Sequence, residues 1–144
     1  MAAASEDRNT EYIGVAPFRV AVPVKTLKKI YAGTLVTTDA SGYAMPATKA
    51  TTQKAIGIAQ EKADNSAGLS GAINVVVAVS PVIFKMTMST VGTTGTFAQT
   101  KIGSTCYVVD DQHLATSNAT AQTANNAFGT VLKYASSTEA WIKF

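Results

Sequence analysis

Residues 32–39 read Ala-Gly-Thr-Leu-Val-Thr-Thr-Asp, and residues 102–110 read Ile-Gly-Ser-Thr-Cys-Tyr-Val-Val-Asp. Each stretch starts at a glycine turn, continues as a Thr- and Val-rich strand, and ends at an aspartate suited to a turn. A second short strand follows each aspartate, at 42–44 and at 113–115. These stretches predict two similar β units within one chain.

A third strand follows in each unit after a polar linker rich in Ala and Thr. It reads Ala-Ile-Gly-Ile-Ala at 55–59 and Ala-Phe-Gly-Thr-Val at 127–131. Short strands at intervals of roughly 8–12 residues, with turn signals between them, indicate an all-β sandwich or barrel. The 144 residues suit one domain with a sizeable core. We therefore predict a small β-barrel or β-sandwich over residues 25–144.

Residues 1–24 are predicted to form an extended N-terminal arm. Residues 1–11 are small, polar and charged, which is typical of disorder. Apolar residues then alternate on one face of an extended segment, at Phe18, Val20, Val22 and Val24. Pro17 and Pro23 cannot donate to a strand ladder, which favours an edge strand or an arm. We expect this arm to become fully ordered only in an assembly.

The composition is poor in charge, since only 15% of residues are Asp, Glu, Lys or Arg. Such a surface suits a protein that packs against copies of something else better than a concentrated free monomer. Lys25, Lys28 and Lys29 form the basic cluster, without interleaved aromatic residues that could stack on bases. We expect no nucleic-acid partner; these lysines are either solvated or contact an acidic protein face.

The sequence also indicates the compartment. Residues 1–9 lack the apolar core of a signal peptide, and no apolar run approaches the ~20 residues of a membrane helix. We expect a soluble protein made in a cytoplasm, with no membrane partner. The single cysteine, Cys106, lies in an apolar run and reads as a small buried hydrophobe, with a catalytic thiol as the alternative.

Catalytic and metal-binding patterns are weak. His113 follows Asp110 and Asp111, an arrangement that favours a hairpin turn, with a metal site for calcium rather than zinc as the alternative. The sequence has no Gly-x-Ser-x-Gly elbow and no Gly-Lys-Ser/Thr phosphate loop. We predict that the protein is not an enzyme and has no catalytic residue, cofactor or metal.

Trp141 lies in the terminal segment and shares a face with Lys143, opposite Ala140, Ile142 and Phe144. If those three residues face inward, Trp141 points outward and becomes a candidate interface anchor.

A further stretch, Gly-Ala-Ile-Asn-Val, lies at 71–75. The order of these motifs, at 32–42, 55–59, 71–75, 103–110 and 128–131, resembles the capsid decoration, or cement, proteins of tailed bacteriophages. The resemblance covers roughly residues 30–144. It implies a β-barrel or β-sandwich, commonly trimeric, that sits outside the mature capsid at three-fold or quasi-three-fold positions and bridges capsomers. No catalytic residues carry over. The long proline-bearing N-terminal segment departs from the simplest members.

The predicted function is therefore that of a structural virion protein on the capsid exterior, which stabilises the head. Its expected partners are the major capsid protein and further copies of itself in a homotrimer. The candidate contact residues are Tyr12, Ile13, Phe18, Arg19, Lys25, Lys28, Lys29 and Trp141. The alternatives are another virion component, such as a head fibre base or tail protein, and a carbohydrate- or ligand-binding β module.

Overall fold

The computed structural model describes residues 2–14, 18–50, 52–89, 97–116 and 127–144. These residues form β-strands and one short 3-10 helix at Gln99–Lys101, and they contain no α-helix. The strands are β1 (Phe18–Pro23), β2 (Lys28–Ile30), β3 (Leu35–Thr38), β4 (Ala44–Pro46), β5 (Lys54–Ala59), β6 (Ala63–Asn65), β7 (Asn74–Val79), β8 (Ile83–Met88), β9 (Thr105–Asp110), β10 (His113–Ala115), β11 (Ala127–Ser136) and β12 (Glu139–Lys143).

The first unit is a five-stranded sheet in the order β4-β3-β5-β7-β1, with every pair antiparallel. Its two edge strands meet at a single parallel bridge between Val24, which follows β1, and Ala44 of β4. A separate two-stranded sheet of β2 and β6 accompanies it.

The second unit is a closed five-stranded barrel in the order β10-β9-β11-β12-β8. Its closing pair is β8 with β10, which run parallel at Thr87 and Met88. The prediction of an all-β architecture with a small barrel and two β units is confirmed.

The two units share one strand plan, in which β1, β3, β4, β5 and β7 correspond to β8, β9, β10, β11 and β12. In each unit the turn before the first repeated strand exchanges two backbone hydrogen bonds with the third strand. The donor-to-acceptor pairs are Gly33 to Ala59, Ala59 to Thr34, Gly103 to Val131 and Val131 to Ser104. The repeat read from three strands thus extends to five.

The closing strands carry the same equivalence. Two backbone hydrogen bonds recur at the end of β1 and at the end of β8. At the end of β1, the Val24 amide donates to Ile73 and the Lys25 amide donates to Ala44. At the end of β8, the Met88 amide donates to Thr138 and the Ser89 amide donates to Leu114.

Gly57 and Gly129 occupy equivalent places in the third strand of each unit. A Cβ on Gly57 would collide with the carbonyl oxygen of Ala78 in β7, and a Cβ on Gly129 with that of Lys143 in β12. The pairing register shifts beside each glycine, between β5 and β3 in the first unit and between β11 and β9 in the second. Glycine therefore allows two neighbouring strands to approach at a bulge.

The buried residues form two hydrophobic cores. One lies within the first unit and includes Val24, Ile30 and Val77. The other fills the barrel but also takes in Leu35 of β3 and Ile58 of β5. The two units are thus packed into one body.

The segment predicted as a single arm, residues 1–24, contains two different structures. Residues 2–13 pack along the body, whereas β1 pairs with β7 over its whole length; residues 1 and 15–17 lie outside the described residues. β1 is an edge strand, as Pro23 favoured. The apolar face is not evenly covered, since Phe18 is 68% exposed and Val24 is fully buried.

We expect Gly129→Ala to lower the free energy of unfolding by roughly 2–4 kcal/mol, because it adds a backbone collision to the cost of a positive φ. Gly129 has φ +87°. Gly103 has φ +86°, and apart from its chain neighbours no atom of the described residues lies within 4 Å of its Cβ position. Gly103→Ala is the matched control and should cost about 1–2 kcal/mol. Urea unfolding measures both, and equal losses would contradict the role of the collision.

Candidate interaction surface

The N-terminal strap, defined as residues 2–13, is bound to the first unit around its glycine turn. The Arg8 amide donates to the Ala32 carbonyl over 2.8 Å, and the Ala32 amide donates to Asp7 Oδ1 over 2.8 Å. The Thr10 hydroxyl donates to the Gly33 carbonyl. These bonds hold the middle of the strap against the turn that precedes β3.

The same strap is bound to the second unit around the β9–β10 turn. The Ala4 amide donates to Asp111 Oδ1 over 2.8 Å, and Arg8 Nη1 donates to the Gln112 carbonyl over 3.0 Å. Gln112 Nε2 in turn donates to the Ala2 carbonyl. Because the strap contacts both units, it fastens one to the other.

The end of the strap pairs with β8 as a short antiparallel strand. The Ile13 amide donates to the Ile83 carbonyl over 3.1 Å, and the Lys85 amide donates to the Glu11 carbonyl over 2.8 Å. Tyr12 bridges to Phe84, and its hydroxyl oxygen accepts a hydrogen bond from Gln60 Nε2. Tyr12 is therefore half-buried and engaged within its own chain, whereas Ile13 remains exposed.

Trp141 lies beside the strap on the outer face of the barrel. Ala140 and Ile142 are fully buried, so the condition set for an outward Trp141 is met by those two residues. The Lys85 ammonium lies 5.8 Å from the centre of the Trp141 ring and 2.8 Å from Glu11 Oε1. Lys85 thus brings the strap and Trp141 together, a connection that the sequence did not signal.

Phe18 and Arg19 lie on β1, in the other unit. The Val24 amide donates to Ile73, so alternation along the strand turns the backbone groups of Arg19 and Ala21 away from β7. Both residues are exposed, and no strand among the described residues pairs with this edge at Arg19 or Ala21, because β4 meets it further along, at Val24. β1 therefore presents an open backbone edge beside exposed apolar side chains.

Ion pairs occupy much of the predicted basic cluster. Lys25 Nζ lies 2.9 Å from Asp39 Oδ2, and Lys29 Nζ lies 3.2 Å from Asp64 Oδ2. The pKa of Asp64 falls to about 2, because Ser66 donates hydrogen bonds to the carboxylate and Lys29 pairs with it. Lys28 lies on β2 and forms no ion pair with a described residue.

The predicted hairpin turn lies at Asp110–His113. Asp110 Oδ1 accepts the Gln112 amide over 3.0 Å and lies 2.7 Å from His113 Nδ1. Among the described residues, no group of three or more His, Cys, Asp or Glu side chains is arranged to hold a metal ion. The geometry is that of a self-bonded turn.

Two buried groups of the strap region carry shifted pKa values. Burial raises the pKa of the Asp111 carboxyl. Burial also lowers the pKa of Arg8, against the opposing attraction of Glu139, Asp111 and Asp110, and Arg8 Nε is buried with no hydrogen-bond partner among the residues that the structure describes. The strap therefore places charge in a partly desolvated position.

Comparison with protein families, with curated proteins and with solved structures finds no match to this chain. Within the residues that the structure describes, no helix has the length and apolar character to cross a membrane.

We expect Asp111→Asn to raise the melting temperature at neutral pH. The raised pKa means that an ionised Asp111 opposes folding above that pKa, whereas an asparagine stays neutral and can still accept the Ala4 amide. The gap between variant and wild type should close as the pH falls and the wild-type carboxyl becomes protonated. Melting curves across the acidic range measure this.

Asp64→Asn is the control with the opposite sign. The lowered pKa of the Asp64 carboxyl means that its ionised form stabilises the fold at neutral pH, and this stability is lost as the pH falls through the folded-state value of about 2. Asp64→Asn should therefore lower the melting temperature at neutral pH. A less stable Asp111→Asn protein at neutral pH would show that the Asp111 carboxylate stabilises the strap.

We expect Cys106 to resist thiol reagents until the protein unfolds. Its side chain is fully buried, and burial raises its pKa to about 12, so the reactive thiolate is scarce. Labelling with a chromogenic disulfide reagent, with and without denaturant, checks this. Rapid labelling of the native protein would contradict the observed burial.

Proposed function

We propose that this chain is a structural virion protein that binds the outside of a mature phage capsid between capsomers and stabilises the head. The observation that supports this best is the open edge of β1, where Phe18 is 68% exposed and Val20 is 45% exposed. An exposed apolar strand edge is a site for pairing with another chain. The sequence resemblance supplies the class of partner.

The rigid body behind this edge also supports the proposal. Two packed cores and a strap that is hydrogen-bonded to both units form one body behind this edge. With only 15% charged residues, such a platform suits association with many neighbours. Several weak contacts from one rigid body or trimer act together, because every contact after the first is intramolecular.

The structure changes which of the predicted contact residues are available. Tyr12 is used inside the chain, and Lys25 and Lys29 are paired with aspartates. Phe18 and Arg19 are exposed on β1. We therefore place the main capsid contact on β1, with Ile13, Lys28 and Trp141 as secondary candidates.

A deletion of residues 1–24 cannot test this proposal cleanly. It would remove the whole of β1 from its partner β7 and take away Val24, which is fully buried. Loss of binding would then reflect loss of folding, so point substitutions on the exposed face are needed.

The test is co-sedimentation of the purified chain with expanded capsid shells that lack it. We expect saturable binding to expanded shells and none to unexpanded shells. The double variant Phe18→Ser, Val20→Ser should bind at least about tenfold more weakly, because it removes apolar surface that is buried on binding. Leu69→Ser is the control, since Leu69 is 82% exposed in the loop before β7.

Equal binding to both kinds of shell, or no binding to either, would overturn the decoration function. Equal losses for the double variant and for Leu69→Ser would overturn the assignment of the contact to β1. Each variant is first compared with the wild type by circular dichroism and thermal melting, so that only folded protein enters the assay.

A further inference from the structure

The internal repeat supplies a template for the open edge of β1. The bonds from Val24 to Ile73 and from Met88 to Thr138 are equivalent, so they align β1 with β8. β1 pairs with β7, and β8 with β12, without a register shift, so the alignment extends from these bonds towards the start of each strand. The aligned pairs are Ile83 with Arg19, Phe84 with Val20 and Lys85 with Ala21.

On β8 these positions are covered by an extended segment. Residues 11–13 of the strap accept a hydrogen bond from the Lys85 amide and donate one to the Ile83 carbonyl. Tyr12 lies opposite Phe84, which is fully buried. A short antiparallel strand thus covers β8 at Ile83 to Lys85, whereas the described pairing of β10 with β8 lies further along, at Thr87 and Met88.

On β1 the equivalent positions are open. The Arg19 carbonyl and the Ala21 amide correspond to the two backbone groups that bind the strap on β8, and they face away from β7. Val20 is 45% exposed where its counterpart Phe84 is fully buried. The described residues supply no strand for this edge, although the repeat supplies one for its equivalent.

We propose that the β1 edge is a second strand-acceptor site, and that an extended segment of a major capsid subunit fills it in the antiparallel direction. The identity of this occupant rests on the proposed function. The segment donates its amide to the Arg19 carbonyl and accepts the Ala21 amide, as residues 11–13 do on β8. Backbone bonds of this kind supply affinity, and alternate side chains supply specificity.

The residues of β1 define the chemistry of this segment. On β8, Glu11 lies beside the cation of Lys85, with Ile13 next to Ile83. On β1 the cation is instead at Arg19, and Ala21 replaces the lysine. The matching segment therefore carries a small residue opposite Ala21, an aromatic or other apolar residue opposite Val20, and an acidic residue opposite Arg19.

A second copy of this chain fits the edge less well. Its residues 11–13 would place Ile13 opposite Arg19 and Glu11 opposite Ala21, so that the acidic residue misses the cation. Those residues are also occupied on their own β8.

The first test follows the Ala21 amide by hydrogen exchange in the full-length protein, free and bound to expanded shells. We expect strong protection of this amide on binding. Ala21→Pro removes the amide without breaking a bond to β7, and should weaken shell binding at least about tenfold. Ala21→Ser keeps the amide and should bind like the wild type, which makes it the matched control.

The second test uses a short synthetic peptide with central residues Thr-Tyr-Glu, and a partner peptide with Thr-Tyr-Lys. We expect the first to protect the Ala21 amide of the wild type and to bind Arg19→Glu about two- to fivefold more weakly. The Thr-Tyr-Lys peptide should show the reverse preference. The assigned chemistry would be overturned if neither peptide bound its preferred protein, or if both peptides bound wild type and Arg19→Glu with the same affinity.

The outcomes separate this inference from the proposed function. Shells that bind wild type and Ala21→Pro equally, with the Ala21 amide unprotected, overturn the acceptor site while the decoration function stands. Shells that bind neither overturn the decoration function and the capsid occupant, and the peptide alone then decides whether the acceptor site exists. Protection that grows with protein concentration in the absence of shells assigns the edge to a second copy and overturns the capsid occupant.

Discussion

The close approach of two strands at a glycine underlies both units. At Gly57 and at Gly129 the backbone of the third strand lies against a carbonyl oxygen of the next strand, where no side chain fits. Two residues further on, the same strand exchanges a pair of hydrogen bonds with the glycine turn that opens the unit. The bulge and the turn together set the register of the central strands, and the outer strands follow from that register.

The two units differ in what covers the edge of their closing strand. The N-terminal strap lies along β8 and covers its edge. The equivalent strand of the other unit, β1, has an uncovered edge among the described residues. A duplicated fold with one strap has two equivalent edges and can cover only one of them from within. The asymmetry leaves β8 with a covered edge, while β1 keeps an exposed edge with Phe18 and Val20 beside it.

Sequence patterns predicted the repeated turns and strands because glycine, aspartate and β-branched residues have local preferences. They also predicted the buried Cys106 and the outward side of Trp141, since alternation separates the two faces of a strand. The apolar alternation that begins at Phe18 predicted an extended segment, but its pairing with β7 depends on a partner far along the chain. Small, polar and charged side chains predicted disorder for residues 1–11, whereas the hydrogen bonds of this segment depend on partners far along the chain, such as Ala32 and Asp111.

Leu35 and Ile58 lie in the core of the barrel, so the two units depend on each other for their packing. Both residues belong to strands of the first unit, yet they fill space in the second, and the Leu35 amide donates to the Asp111 carbonyl across the junction. Division of the chain between β7 and β8 would expose apolar side chains on one piece and leave a hole in the other. The two units therefore cannot be separated without loss of packing, and we expect them to melt together in a single cooperative transition.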